Sequence, residues 1–426
     1  MQLRYNYRLY PTEDQRTALA KAFGCARVVF NDGLRVRQDA HAAGLPYLTD
    51  ADLSVRLTKA KASPERAWLR EVSAVPLQQS LADLNAAYRR FFAYQKALRE
   101  WQVAGRKGPR PRRIGLPRFR SRKDHRQTIR FTRNARFSVT AGGRLQLPKI
   151  GKIEVRWSRD LPSEPSSVTV ILDAAGRYFA SFVVDADGPL SPAGTEVGVD
   201  LGLTHFAVLS DGRKVASPKF LRRAERKLKR LQRAHSRKAK GSANREKARV
   251  KVARAHAKVA DTRRDFHHKV STAIIRDNQA VYAEDLCVAG LGRTRMAKSV
   301  YDAGWSEFVT MLEYKAQRYG HVFVRVGRFE PTSQVCSACG VMDGPKRGDG
   351  RYHTCPDHRL GAIPPRTSPF GGARAQWRSA GRPADRARRS RAAGPWRPPW
   401  RPGILTCLLP RVEHHLRAPD AGQVHP

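Results

Sequence analysis

Two carboxylates and a small group of sulfur and imidazole ligands are the residues whose types and spacing could do chemistry. Asp200 stands within Val197-Gly-Val-Asp200-Leu-Gly-Leu203, after an alternating apolar run, and Glu284 closes Val281-Tyr-Ala-Glu284. Apolar residues lead into both acids in short runs that predict strands, which places each acid at the carboxyl end of its strand, where ligands bind in open α/β sheets. Two acids on neighbouring strand ends can share a hard divalent cation, and Mg²⁺ favours such oxygen ligands together with substrate phosphates. A pair of such ions would activate water and stabilise the leaving oxygen of a phosphodiester. Taken singly, Asp200 also reads as the start of a turn and Glu284 as a helix cap; it is their joint occurrence in a very basic chain that favours the metal reading. The second group is Cys336-Ser-Ala-Cys339 and Cys355-Pro-Asp-His358, with fifteen residues between the two pairs. Paired ligands on two tight turns suit tetrahedral Zn²⁺ and a zinc ribbon. His358 stands where a fourth cysteine would be expected, so the alternatives are a Cys3His zinc site and an unmetallated knuckle.

The surrounding chain sets the partner. Lys and Arg outnumber Asp and Glu 81 to 37, for a net charge of +44 over 426 residues. That excess repels itself unless a polyanion neutralises it, which points to nucleic acid. Hydrophobic residues at 41% and aromatics at 8% exclude a merely disordered basic tail. No 18-residue apolar run and no signal-like core at Met1-Gln-Leu-Arg-Tyr5 occur, so the expectation is no membrane contact and a soluble, cytoplasmic, nucleoid-associated protein. In such a reducing compartment clustered cysteines imply metal rather than disulfides. Cys25 and Cys287 are expected to be packed, and His267 and His268, on a basic helix, to pack or to touch phosphate.

The elements that must position these residues follow from periodicity. Residues 2–10 alternate as a strand, and Pro11-Thr-Glu-Asp14 opens a helical region to about residue 104, where Leu77, Leu81, Leu84, Tyr88 and Phe91 form one stripe. Residues 105–123 are a Pro/Gly-rich basic connector with nothing to pack a core; Arg110, Arg112, Arg113, Arg118, Arg120, Arg122 and Lys123 are expected along a phosphate backbone. Strands are predicted at 127–131, 151–157, 167–172 and 178–184, a small β-barrel that the N-terminal strand would complete. Beyond a linker, residues 195–329 read as α/β. Heptad-like seams at Leu221, Ala224, Leu228, Leu231 and at Ala248, Val252, Ala255, Val259 predict an antiparallel helical hairpin over 219–277, with Arg222, Arg223, Lys227 and Lys229 as further phosphate contacts.

In this order the motifs resemble the TnpB (OrfB) family of insertion-sequence transposase-like, RNA-guided nucleases. They are Tyr7-Arg-Leu-Tyr-Pro-Thr-x-x-Gln15, the 77–92 helix, Pro117-Arg-Phe-Arg120, Gly198-Val-Asp-Leu-Gly-Leu203, Phe266-His-His-Lys-Val270, Glu284-Asp-Leu286 and Thr332-Ser-Gln followed by Cys336-Ser-x-Cys-Gly340. The resemblance implies a multidomain α/β protein. Residues 1–10 and 105–190 would form a wedge-like β-barrel and 11–104 a helical recognition region. Residues 195–329 would be a RuvC-like (RNase H-type) nuclease core and 330–358 an incomplete zinc ribbon. It also implies a guide RNA from the protein's own element, target DNA, and Asp200 and Glu284 as the first two of three Mg²⁺-binding acids. No Tyr or Ser has surroundings suited to a DNA-rejoining nucleophile.

The third acid of that pattern, in an Asp-x-Asn-Ala-Ala context after the ribbon, has no counterpart. From Arg359 the only acids are Asp385, Glu413 and Asp420, and the last 68 residues hold 13 Arg and 11 Pro but no Lys, whereas the preceding 358 hold 21 Lys. Such a bias is what a GC-rich gene yields out of frame, so a frameshift near codon 358 is expected to have replaced the fourth Cys and third Asp. A native Arg/Pro-rich, RNA-binding tail at 359–426 is the other reading. The function expected is therefore two-metal cleavage by an impaired site, or else a nuclease-dead RNA/DNA-binding remnant.

Overall fold

The computed structural model describes residues 1–327 except Asp187 and Pro192. The ribbon at 330–358 with Cys336, Cys339, Cys355 and His358, the tail and the expected frameshift lie outside the described residues.

The N-terminal half is built on β1 (Gln2–Tyr10), which runs into α1 (Glu13–Ala42) through a capping box. The Thr12 side chain accepts from Gln15 N–H and the Gln15 side chain accepts from Thr12 N–H, pairing two amides that a helix start otherwise leaves without partners. Then come α2 (Asp50–Ala62) and α3 (Ala74–Val103). Gly33 of α1 lets α3 approach closely: a Cβ there would lie 3.1 Å from the Leu81 and Leu84 methyls. The strands β2 (Gln127–Thr132), β3 (Ser138–Val139), β4 (Leu145–Leu147), β5 (Gly151–Arg156), β6 (Ser167–Leu172) and β7 (Tyr178–Asp185) follow. They join β1 in one seven-stranded sheet of order β2-β6-β7-β1-β5-β4-β3. Its end strands β2 and β3 do not pair, so the sheet is a half-barrel rather than the closed barrel that strand periodicity suggested. One core serves both layers: Leu19, Phe23, Leu77 and Leu84 of the helices share a buried cluster with Tyr7, Phe131, Ile153 and Phe182 of the sheet. Helix packing supplies the apolar cover that closure would otherwise provide.

The second half holds β8 (Glu196–Leu201), β9 (His205–Leu209), β10 (Lys214–Ala216), the helical pair α4 (Phe220–Ser236) and α5 (Ala243–Asp277), β11 (Ala280–Glu284), α6 (Val288–Leu291), α7 (Ala297–Ala303), α8 (Trp305–Tyr319) and β12 (Val322–Val326). The sheet order is β10-β9-β8-β11-β12. The first two pairings are antiparallel, and β8–β11 and β11–β12 are parallel. A parallel neighbour cannot be reached by a tight turn, so the chain crosses over through α4 and α5. Val197, Val199, Val281 and Ala283 bury one face against Ile275, Phe308 and Leu312 of α5 and α8. The β6–β7 turn meets α5: Arg177 donates to Asp173 (2.8 Å) and to Asp261 (2.5 Å), while Arg249 and Arg254 donate to the Ala174 and Ala175 carbonyls. Among the described residues no helix is long and apolar enough to cross a membrane.

The α5–α8 seam contains a buried lysine. Lys315 Nζ donates to His268 O (2.8 Å), Ser271 Oγ (2.8 Å) and Thr272 Oγ1 (2.6 Å). Burial, with the positive charges of Arg159 and Arg318, lowers its pKa to about 8. Burial, then Lys315 and the neighbouring arginines, brings His268 to about 4 from an ordinary 6.5. Both histidines are thus packing residues, His267 fully buried and His268 half-buried. Between those two pH values the unfolded chain binds the proton that folded His268 refuses, so stability falls as pH drops through the interval. His268→Gln is expected to flatten the fall of Tm between about pH 6.5 and pH 4, measured by calorimetry against wild type. An unchanged slope would assign the acid sensitivity to other groups.

Candidate nuclease site

Asp200 and Glu284 come together because β8 and β11 are parallel neighbours in register. Gly198 pairs with Tyr282 and Val199 with Ala283, and the two acids are the next residue on each strand. Strand spacing puts their backbones about 5 Å apart, and the alternation that sends Val199 and Ala283 into the core turns both acids to the opposite face. Gly202 then allows the tight return into β9: a Cβ there would meet the His205 carbonyl at 3.0 Å. After Glu284, Asp285 N–H donates to Val326 O (3.1 Å), which ties the acid's strand end to β12.

Both acids are half-buried. Burial raises the pKa of Asp200; burial and then the Asp200 charge raise that of Glu284. Among the described residues no cationic side chain contributes to either shift, although the chain carries a net +44. Two adjoining carboxylates in a poorly solvated position without a counter-ion are disfavoured when both are ionised, and a divalent cation relieves that repulsion. Two carboxylates of this kind suit Mg²⁺, and among the described residues no group of three or more His, Cys, Asp or Glu is placed to hold a metal ion.

The predicted phosphate contacts divide. Arg112, Arg113, Arg118, Arg122 and Lys123 are exposed along the connector. Arg110 is also exposed, with its guanidinium 5.9 Å from the Trp101 ring centre. Arg120 is instead used inside the protein. Its guanidinium sits 3.8 Å from the Phe30 ring centre and pairs with Asp83 at 3.3 Å, and its backbone N–H donates to Asn31 Oδ1. The connector therefore does contribute to packing, most clearly at Arg120, which covers an aromatic face while meeting a carboxylate. On α4, Arg222, Arg223, Lys227 and Lys229 are exposed; Arg222 donates to Ser299 Oγ and Lys229 pairs with Glu225. Cys287, expected to be packed, is exposed in the turn that starts α6.

One structural carboxylate escaped sequence reading. Asp302, buried at the end of α7, accepts from Leu221 N–H (2.8 Å) and Arg222 N–H (3.4 Å) and so caps α4 from outside that helix. Arg263 donates to the Tyr301 and Asp302 carbonyls, and His267 Nε2 donates to Ala303 O at 2.9 Å. The Asp302-Ala-Gly304 turn was its only local signal, because the capped helix lies about eighty residues upstream.

Glu284→Gln removes one of the two like charges while keeping shape. In metal-free buffer it is expected to raise stability by about 1 kcal/mol, read as a Tm a few degrees higher. With about 10 mM Mg²⁺ the order should reverse, since only the intact pair gains ligand stabilisation. Equal shifts in both buffers would show that the two acids share no cation.

Comparison with known proteins identifies the family. Residues 181–295 match the family model described as "Probable transposase", and residues 305–362 match "Cas12f1-like, TNB domain". Residues 1–45 match a model described as "Helix-turn-helix domain", although here they form a strand and one 30-residue helix. A Streptomyces pristinaespiralis protein named "Putative RNA-guided DNA endonuclease" is 41% identical over 356 residues, covering 82% of this chain and 84% of that protein. "Putative RNA-guided DNA endonuclease InsQ" of Escherichia coli (strain K12) is 30% identical over 375 residues, covering 84% and 85%. A chain from the "Cryo-EM structure of the Cas12f1-sgRNA-target DNA complex" aligns with 88% of this chain and 98% of its own at 12% identity. Its TM-score of 0.39 is too low to carry an inference. With relatives this similar over most of both lengths, the chain belongs to the TnpB (OrfB) family of insertion-sequence transposase-like proteins.

Proposed function

We propose that this chain is an insertion-sequence-encoded, RNA-guided DNA-binding protein whose RuvC-like (RNase H-type) core keeps two of the three acids of a two-metal phosphodiesterase site. The observation that carries the reading is the sheet β10-β9-β8-β11-β12, three strands antiparallel and then two parallel, with Asp200 and Glu284 ending its two adjoining parallel strands. The names of the relatives supply the substrate class, DNA selected by a guide RNA. In that division of labour, base pairing reads sequence while the protein holds backbones through its basic surface. Asp200 and Glu284 would hold Mg²⁺, which supplies Lewis-acid stabilisation and an activated water when bound. Cys336, Cys339, Cys355 and His358, within the stretch matching the TNB model, would hold one structural Zn²⁺. The protein would work in the bacterial cytoplasm on the nucleoid.

The third acid decides how much chemistry remains. None of the three acids after Arg359 lies in the family's context, and the match to the TNB model stops at residue 362, near the change in composition. A two-carboxylate cage should cost about a thousandfold or more in rate. That specific loss favours a second reading, a nuclease-dead binder of RNA and DNA, since the exposed connector and α4 cations do not depend on the acids.

The two readings separate in one set of assays on purified protein with its element's RNA. Residual Mg²⁺-dependent cleavage abolished by Asp200→Ala would eliminate the binder. Tight RNA binding without cleavage in either Mg²⁺ or Mn²⁺ would eliminate the nuclease. Under both readings, affinity should fall with salt at a log–log slope of about −5 or steeper, as for six or more phosphate contacts. Metal analysis should find one zinc per chain, and its absence would remove the ribbon assignment.

A further inference from the structure

A recess near the acid pair has no part in the two-acid chemistry. It is a cavity of about 250 Å³ between the β8–β9 turn, the loop entering α4 and the end of α7. Its floor is aromatic. Phe220 and Phe266 meet edge to face with ring centres 5.7 Å apart, and both stay partly exposed. Its mouth is cationic and polar, formed by exposed Thr204, Lys219 and Arg222. Asp302 also reaches the recess, but its carboxylate is occupied by the Leu221 and Arg222 amides. The cavity is smaller than a drug-sized site, so it suits one flat ring system rather than a large ligand.

Two further observations link the recess to a strand of nucleic acid. Leu203, on its wall, follows Asp200 by three residues, so the two backbones lie within about 11 Å of each other. Lys219 has left-handed backbone angles, φ 50° and ψ 51°, although it is not glycine. Such a conformation costs energy and persists where the surroundings impose it, commonly at ligand sites. Here the Asp302 cap fixes the first turn of α4, and Lys219 is the bent residue that leads into it. An aromatic floor beneath a cationic rim is how unpaired nucleotides are held: the base stacks on the ring and the phosphate meets the cation.

We infer that the recess takes one unpaired nucleotide of the DNA strand led to Asp200 and Glu284, with its base against Phe220 and Phe266 and its phosphate on Lys219 and Arg222. This deepens the nuclease reading and rests on it, because it assumes DNA presented at the acid pair.

The test measures binding of the full chain to a single-stranded DNA of about 15 nucleotides carrying 2-aminopurine, in EDTA and at high salt, where stacking outlasts phosphate contacts. Phe220→Leu, which fills similar space without an aromatic ring, is expected to weaken binding about fivefold or more and to relieve quenching of the probe. Phe220→Tyr should bind as wild type does, and a duplex of the same length should bind all three proteins equally. Wild-type affinity and quenching in Phe220→Leu would overturn the inference, as would equal loss for single strand and duplex. Because EDTA stops cleavage, the two readings fail separately. Ring-dependent binding in a protein that never cuts would sink the nuclease and keep the recess, whereas cutting with ring-independent binding would do the reverse.

Discussion

The parallel pairing of β8 with β11 is the constraint on which the rest of the molecule depends. Parallel strands cannot be joined by a tight turn, so the chain must leave the sheet and return along the same direction. It does so through the long α4–α5 pair, and α5 comes back across the sheet face that Val197, Val199, Val281 and Ala283 make apolar. Covering one face leaves the other for the alternate residues, and these include Asp200 and Glu284. A one-residue slip of either strand would send its acid into the core and its apolar row into solvent. The acid pair is therefore held by the same burial that stabilises the sheet.

Charge is distributed against its average. A chain with a net +44 might be expected to neutralise any carboxylate at hand, and many are neutralised: Asp83 meets Arg120 and Arg130, Asp261 meets Arg177, and Glu225 meets Lys229 and Lys298. The pKa of Glu225 drops to about 2 under those two lysines. Asp200 and Glu284 shift in the opposite direction, because burial, and for Glu284 also the Asp200 charge, acts on them with no nearby cation among the described residues. Carboxylates shifted in this direction by burial are candidates for a site that meets an external partner. The same logic separates the cations: Arg120 and Arg177 connect parts of the fold, while Arg112, Arg113 and Arg118 remain exposed.

The N-terminal half shows how one core can serve a helical layer and a sheet. Periodicity read the 77–91 stripe and five of the seven strands correctly but missed the short β3 and β4, because a pattern must run long enough to match the period of its own element. It could not tell whether the sheet closes, since closure depends on what lies against β2 and β3, and α1 and α3 cover the sheet where a closed barrel would have paired its edges. Cys287 and Arg120 were misjudged for a related reason. Both sit in segments without a period, where burial is set by neighbours distant in sequence.

The sequence by itself determined the residue types available: two acids that follow apolar runs, a large excess of basic residues, and the spacing of Cys336, Cys339, Cys355 and His358. Residue type and local alternation carry that information, because they reflect which groups can be buried and which can bind a cation. Only the tertiary structure decided that Asp200 and Glu284 are neighbours on one face, that Asp302 is committed to the start of α4, and that Phe220 and Phe266 meet at a recess among α4, α5 and α7. Each of these is a contact between residues roughly 45 to 85 positions apart, and no local pattern encodes which distant partners the packing of the core will bring together.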